Sequence, residues 1–222
     1  MFLAHYGVAL GLKKVAPKTS LATLVVGTTL LDLLWPLFLM LGWEQVEIVE
    51  GITKMTPLDF SYYPFSHSLV AVIGWSLFTG IIYFAITRYR VGAFAICIAV
   101  ASHWFLDVLV HRPDLPLGFS AEIFFGLGLW NYPIITLILE FGILCAGLYF
   151  YIRTTSAVDM VGRYALYGFI GTLSLIYIAN ILGPVPPSVA IISYVGNAAW
   201  LFVLWAFWID KHRSSTLFKP HI

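Results

Sequence analysis

Six runs of about 20 mostly apolar residues dominate this 222-residue chain, at positions 21–41, 67–87, 91–111, 133–152, 164–182 and 189–209. At a rise of ~1.5 Å per residue, each run is long enough to cross a hydrocarbon core of ~30 Å as a helix. Inside a bilayer the backbone must satisfy its own hydrogen bonds, which leaves helices or closed barrels. The runs are continuous in hydrophobicity and lack the short apolar/polar alternation of a barrel. The reading is therefore all-α: a polytopic integral membrane protein of six transmembrane helices, forming one membrane domain over residues 1–222.

Composition removes other classes. Hydrophobic residues make up 60% of the chain and charged ones 10%, against about 45–50% and 25% in soluble domains. That excludes a soluble enzyme. With a net charge of +1 and no dense basic run, nucleic acid is excluded as a partner. Cys97 and Cys145 both lie in apolar runs, so no disulfide framework is expected. The opening MFLAHYGVALGLKK places its charges after the apolar stretch, unlike a cleavable signal peptide.

The connections set the orientation. Lys13, Lys14, Lys18, Arg88, Arg90, Arg153, Arg163, Lys211, Arg213 and Lys219 fall on one side, ten of the 12 basic residues. The other side holds Glu44, Glu47, Glu50, Asp59, Asp114 and Glu122. The positive-inside rule then puts both termini in the cytoplasm. The two long outer loops, 42–66 and 112–132, have 25 and 21 residues, a length common in functional loops. Trp43, Tyr62, Tyr63, Trp130 and Tyr132 read as an aromatic belt there. Gly7 and Gly11 form a GxxxG pattern suited to close helix packing.

Ionisable side chains are costly in a bilayer, at about 2.5–3.5 kcal/mol each on insertion scales. Those placed there are Asp32, His67, His103, Asp107, His111 and Glu140. Asp32 lies about 21 Å outward from Lys18, and His103 about 20 Å outward from Arg90. Glu140 lies about 10 Å inward from Pro133, near the same level. Asp107 and His111 follow His103 at four-residue spacing, on one helix face, and His67 opens the second run. Imidazoles and carboxylates gathered at one depth suit a divalent transition metal, zinc or manganese foremost. Asp32, His67, His103 and Asp107 are the expected ligands, with Glu140 or His111 positioning water. The competing reading of each residue is a helix-to-helix hydrogen bond, and for His111 with Arg112-Pro113-Asp114 a helix-end cap.

The ordered set Ala4-His5-Tyr6-Gly7, Leu31-Asp32-Leu33, Phe65-Ser66-His67-Ser68 and Ser102-His103-x-x-x-Asp107 resembles a bacterial inner-membrane family of the YdjM type, described as metal-dependent hydrolases. It covers roughly residues 1–115. The acidic motif of that family carries two carboxylates after a proline, whereas Asp32 stands alone. The resemblance implies a location in the bacterial inner membrane, a hydrolytic activity, and His5 as a further metal ligand. His5 precedes Lys13 on the cytoplasmic side, so it can join the others only if residues 1–12 form a short re-entrant helix rather than an interfacial one. Such a helix brings His5 about 12 Å deep, some 8 Å short of Asp32.

The functional expectation is a membrane-embedded metal-dependent hydrolase acting on a lipid-linked or phosphate-bearing substrate. Two alternatives use the same residues differently. One is a non-enzymatic subunit or assembly factor packing against membrane-protein partners. The other is a proton-coupled transporter, although no inverted repeat is visible.

Overall fold

A computed structural model describes residues 1–120 and 122–216; Lys219, counted with the basic side, lies outside them. Six helices are long and apolar enough to cross a membrane, and the chain is an all-α polytopic protein. Helix α1 (Leu3–Val15) precedes α2 (Leu21–Met40). A one-turn α3 (Pro64–His67) leads into α4 (Leu69–Thr87), followed by α5 (Arg90–Val110) and α6 (Pro133–Thr154). Helix α7 (Met160–Leu182) is the fifth span; α8 (Val189–Asn197) and α9 (Trp200–Lys211) together make the sixth.

At 13 residues α1 is too short to cross a bilayer, yet it forms the centre of the core. Leu3, Tyr6, Ala9 and Leu10 are buried against Leu24, Leu144, Phe169 and Leu173 of the surrounding spans. Gly7 makes this possible. A Cβ there would stand 2.6 Å from the Ile143 carbonyl oxygen of α6, so only glycine lets the two backbones approach. The first N–H groups of α1 have no intrahelical acceptors. Glu140 of α6 supplies them, accepting from Phe2 N at 2.9 Å and Ala4 N at 2.8 Å. At the other end, Lys13 donates to the Thr19 carbonyl at 2.6 Å. Asp210 of α9 caps the start of α2, accepting from Leu21 N at 2.8 Å and Ala22 N at 3.0 Å.

The outward faces are apolar. Ile81, Ile86, Phe94, Ile138, Leu175 and Leu204 are all exposed, a patchwork that water would not tolerate and lipid does. The basic ends of the helices cluster together: Lys18 lies over the Tyr89 ring and Lys14 over Phe150. On the same end β5 (Thr155–Ala157) pairs antiparallel with β6 (Arg213–Ser215).

Several sequence expectations need correction. The second span starts at Leu69, not at 67, because Ser68 closes α3 and caps α4. Its hydroxyl donates to the Pro64 carbonyl at 2.6 Å and accepts from Ala71 N at 3.1 Å. The last span is broken after Asn197. Ala198 and Ala199 bond back three residues, to Val195 and Gly196, a local 3₁₀ tightening. The outer loops carry hairpins: β1 (Gln45–Ile48) with β2 (Leu58–Tyr62), and β3 (Leu115–Pro116) with β4 (Phe124–Phe125). Trp43, Tyr62 and Tyr132 are exposed as a belt requires. Tyr63 is not; it is buried, and its hydroxyl donates to Asp114. Trp130 is half-buried and lies 4.2 Å, centroid to centroid, from the His111 ring.

Candidate metal centre

Four elements deliver the polar residues to one place. Helix α2 brings Asp32, α3 brings His67, α5 brings the His103–Asp107–His111 stripe, and α1 brings His5. Small residues set the spacing of α2 and α5, since a Cβ on Gly27 would come within 2.9 Å of the Ala99 methyl. One turn further, the His103 ring reaches α2 and its Nδ1 lies 2.8 Å from the Thr28 carbonyl oxygen. That carbonyl belongs to the turn carrying Asp32, so one bond fixes both side chains relative to each other.

His67 Nε2 stands 3.7 Å from Asp32 Oδ1 and 3.9 Å from Asp107 Oδ2. His103 Nε2 stands 3.6 Å from Asp32 Oδ1 and 3.1 Å from Asp107 Oδ2. On the other side of the Asp107 carboxylate, Oδ1 lies 3.2 Å from His5 Nε2 and also contacts the Met1 amino group. His111 Nε2 is 3.9 Å from Asp107 Oδ2. The His5 and His103 rings stack in parallel, with centroids 3.8 Å apart. Asp107 and all four histidines are buried, while Asp32 keeps 40% of its side chain accessible.

Hydrogen bonding fixes which ring nitrogens carry protons. A carbonyl oxygen only accepts, so His103 Nδ1 is the protonated nitrogen. His111 Nδ1 lies 2.9 Å from Asp114 Oδ1 and donates to it. His67 Nδ1 lies 2.7 Å from the Ser66 hydroxyl, whose own proton goes to Glu44 Oε2 at 2.7 Å. Serine has one proton to give. With Glu44 ionised, His67 Nδ1 therefore donates as well. In their neutral forms all three rings turn an Nε2 lone pair toward the carboxylates of Asp32 and Asp107.

Lone pairs aimed at carboxylates repel unless a positive charge lies between them. His103 Nε2 and both ring nitrogens of His5 are buried without a hydrogen-bond partner among the described residues, an arrangement native proteins avoid. Ligand atoms about 2.0–2.1 Å from a tetrahedral zinc stand about 3.3 Å from one another, within the observed 3.1–3.9 Å range. The buried His/Asp group can hold a metal ion. Asp32, His67 and His103 form one candidate triad, and His5, His103 and Asp107 a second. His103 Nε2 could serve only one ion, and Asp107, with Oδ2 facing His67 and His103 and Oδ1 facing His5 and the Met1 amino group, would be the residue shared by the two groups.

The outer partners resemble the carboxylate or carbonyl supports of metal-bound histidines, which fix tautomer and ring orientation. Burial pushes the Glu44 carboxyl above its ordinary range, while its bonds from Ser66 pull it back down. Burial raises the Tyr63 phenol, helped by the nearby Asp114 and Asp107 charges. Sequence reading had placed Glu44 with the acidic outer loop and Tyr63 in the belt, and Ser66 had no role. Only Ser66, in the Phe65-Ser66-His67-Ser68 motif, lies beside His67 in the sequence.

The residues expected at the site separate into two sets. Asp32, His67, His103, Asp107, His111 and His5 come together. Glu140 does not point into this group; its oxygens are engaged by Phe2 and Ala4 at the start of α1. His5 closes the expected 8 Å gap because α1 begins beside Asp107, deep among the spans, instead of lying at the membrane surface. His111 serves both readings at once, capping α5 through Asp114 and turning Nε2 toward Asp107. Comparison with known protein families, curated proteins and solved structures finds nothing that matches this chain.

Proposed function

We propose that this chain is a membrane-embedded metal-dependent hydrolase of the bacterial inner membrane, akin to the YdjM-like proteins, cleaving a lipid-linked or phosphate-bearing ester. Its site opens on the side opposite the basic helix ends, which the positive-inside rule makes extracytoplasmic. The observation that carries this reading is His103 Nε2, a buried ring nitrogen without a hydrogen-bond partner among the described residues, held between two carboxylates. Asp32, His67, His103 and Asp107 hold the ion, with zinc or manganese best suited to the donors. His5 extends the site across the Asp107 bridge. A bound metal of this kind supplies Lewis acidity and lowers the pKa of its water to about 7.

The protein's own groups do the rest. His111 Nε2 is free to accept a proton from the attacking water, because Nδ1–H is held by Asp114. Asp114 then stabilises the imidazolium that forms. Glu140 has no part in the chemistry; it keeps α1, and with it His5, in place.

Elemental analysis of the purified chain tests the metal. At least one tightly bound transition metal per chain is expected, lost in His103→Ala. Less than one, unchanged by that substitution, overturns the reading. Hydrolysis of bis-p-nitrophenyl phosphate tests the chemistry: His111→Ala should keep the metal and lose turnover. Metal without turnover on phosphodiester or phospholipid would instead favour a structural subunit.

A further inference from the structure

A cavity of about 650 Å³, within the usual range for ligand sites, has an inner wall that touches residues of the metal centre. Phe2, Trp35 and Trp130 form its inner wall. Phe2 follows Met1, whose amino group contacts Asp107. Trp35 lies one turn beyond Asp32, and Trp130 rests on His111.

The other walls differ in character. Val185, Ile191 and Val195, at the α7–α8 junction and on α8, line the cavity and are themselves exposed apolar side chains. The rim comes from the β1–β2 hairpin and carries Glu50 and Lys54. Both are exposed, and neither makes an ion pair among the described residues. Lys54 is one of only two basic residues on this side of the sequence.

An apolar wall open to the bilayer below two unpaired opposite charges matches an amphiphile with a zwitterionic head. We infer that the cavity binds a membrane phospholipid whose head carries both a phosphate and a primary amine. Lys54 takes the phosphate, Glu50 the ammonium, and the α8 face one acyl chain. Resting on the proposed hydrolase, this assigns its substrate class.

The test uses the full-length protein in detergent and phosphatidylethanolamine labelled on its acyl chain, followed by fluorescence. Saturable binding is expected, stronger than for phosphatidylglycerol. One charge at a membrane surface changes affinity about fivefold. Lys54→Ala should therefore weaken both lipids about fivefold, and Glu50→Gln only phosphatidylethanolamine. Ile191→Trp, which fills the chain wall, should weaken both. Free phosphoethanolamine should not compete at equal concentration. Equal binding of the two lipids that Glu50→Gln leaves unchanged, or full competition by the free head group, overturns the inference. Metal-stripped protein and Asp107→Asn should still bind lipid, so loss of the metal reading and loss of this one are separate results.

Discussion

Two pairs of carboxylates sit among the spanning helices and meet opposite fates. Glu140 and Asp210 each accept two backbone N–H groups at the start of another helix. Asp210 also has Lys13 Nζ at 3.8 Å. These are structural acids: they satisfy donors that a low-dielectric interior would otherwise leave bare. Asp32 and Asp107 face Nε2 of His67 and His103, rings whose Nδ1 atoms are engaged elsewhere. A carboxylate is a cap in one place and part of a candidate ion site in the other. Hydrogen-bond accounting, more than burial, separates structure from chemistry here.

The sharpest way to break this contrast is to remove one member of each set. His103→Ala should take bound metal from about one per chain to none, with the fold intact by circular dichroism. Glu140→Ala should do the reverse. It strands two buried N–H groups, at about 1–3 kcal/mol each, and should lower thermal stability while Asp32, His67 and His103 still retain metal. A Glu140 variant that loses metal without losing stability would erase the distinction.

Glu44→Gln probes the outer support of His67. It weakens the acceptor that holds the Ser66 proton, and metal affinity should fall about 10–100-fold, measured by chelator competition. An unchanged affinity would mean that the Glu44–Ser66–His67 chain does not set the tautomer.

The smallest effect belongs to Asp159, at the basic end far from the site. Its N–H bond from Gly162, joined by His212, holds its carboxyl below the ordinary range. A lowered pKa means that its contribution is present above the unfolded value and is lost as pH falls through the folded one. That window lies below about pH 3.9. Asp159→Asn, an equally good N-cap, should leave the melting temperature at pH 7 nearly unchanged and flatten its decline in acid.

Much of the fold could be read directly. Apolar runs of spanning length placed all six helices within a few residues, and the four-residue spacing put His103, Asp107 and His111 on one face. The errors lie where side chains act on the backbone. Ser68 split α3 from α4, and Gly196, packed against Pro36, marks where the last span breaks. Glu140 was misjudged because depth can be counted along a helix, while the direction a side chain points depends on its neighbours. The inserted path of α1 was also beyond counting, since it depends on Gly7 fitting against Ile143 and on Glu140 capping the helix.

By itself the sequence determined that this chain lives in a bilayer, with six crossings and a polar stratum. Length and hydrophobicity alone decide the free energy of insertion. Tertiary structure alone decided which of the polar groups are satisfied. A proton on His103 Nδ1 is fixed by a carbonyl 75 positions away in the chain, and no local pattern encodes that pairing.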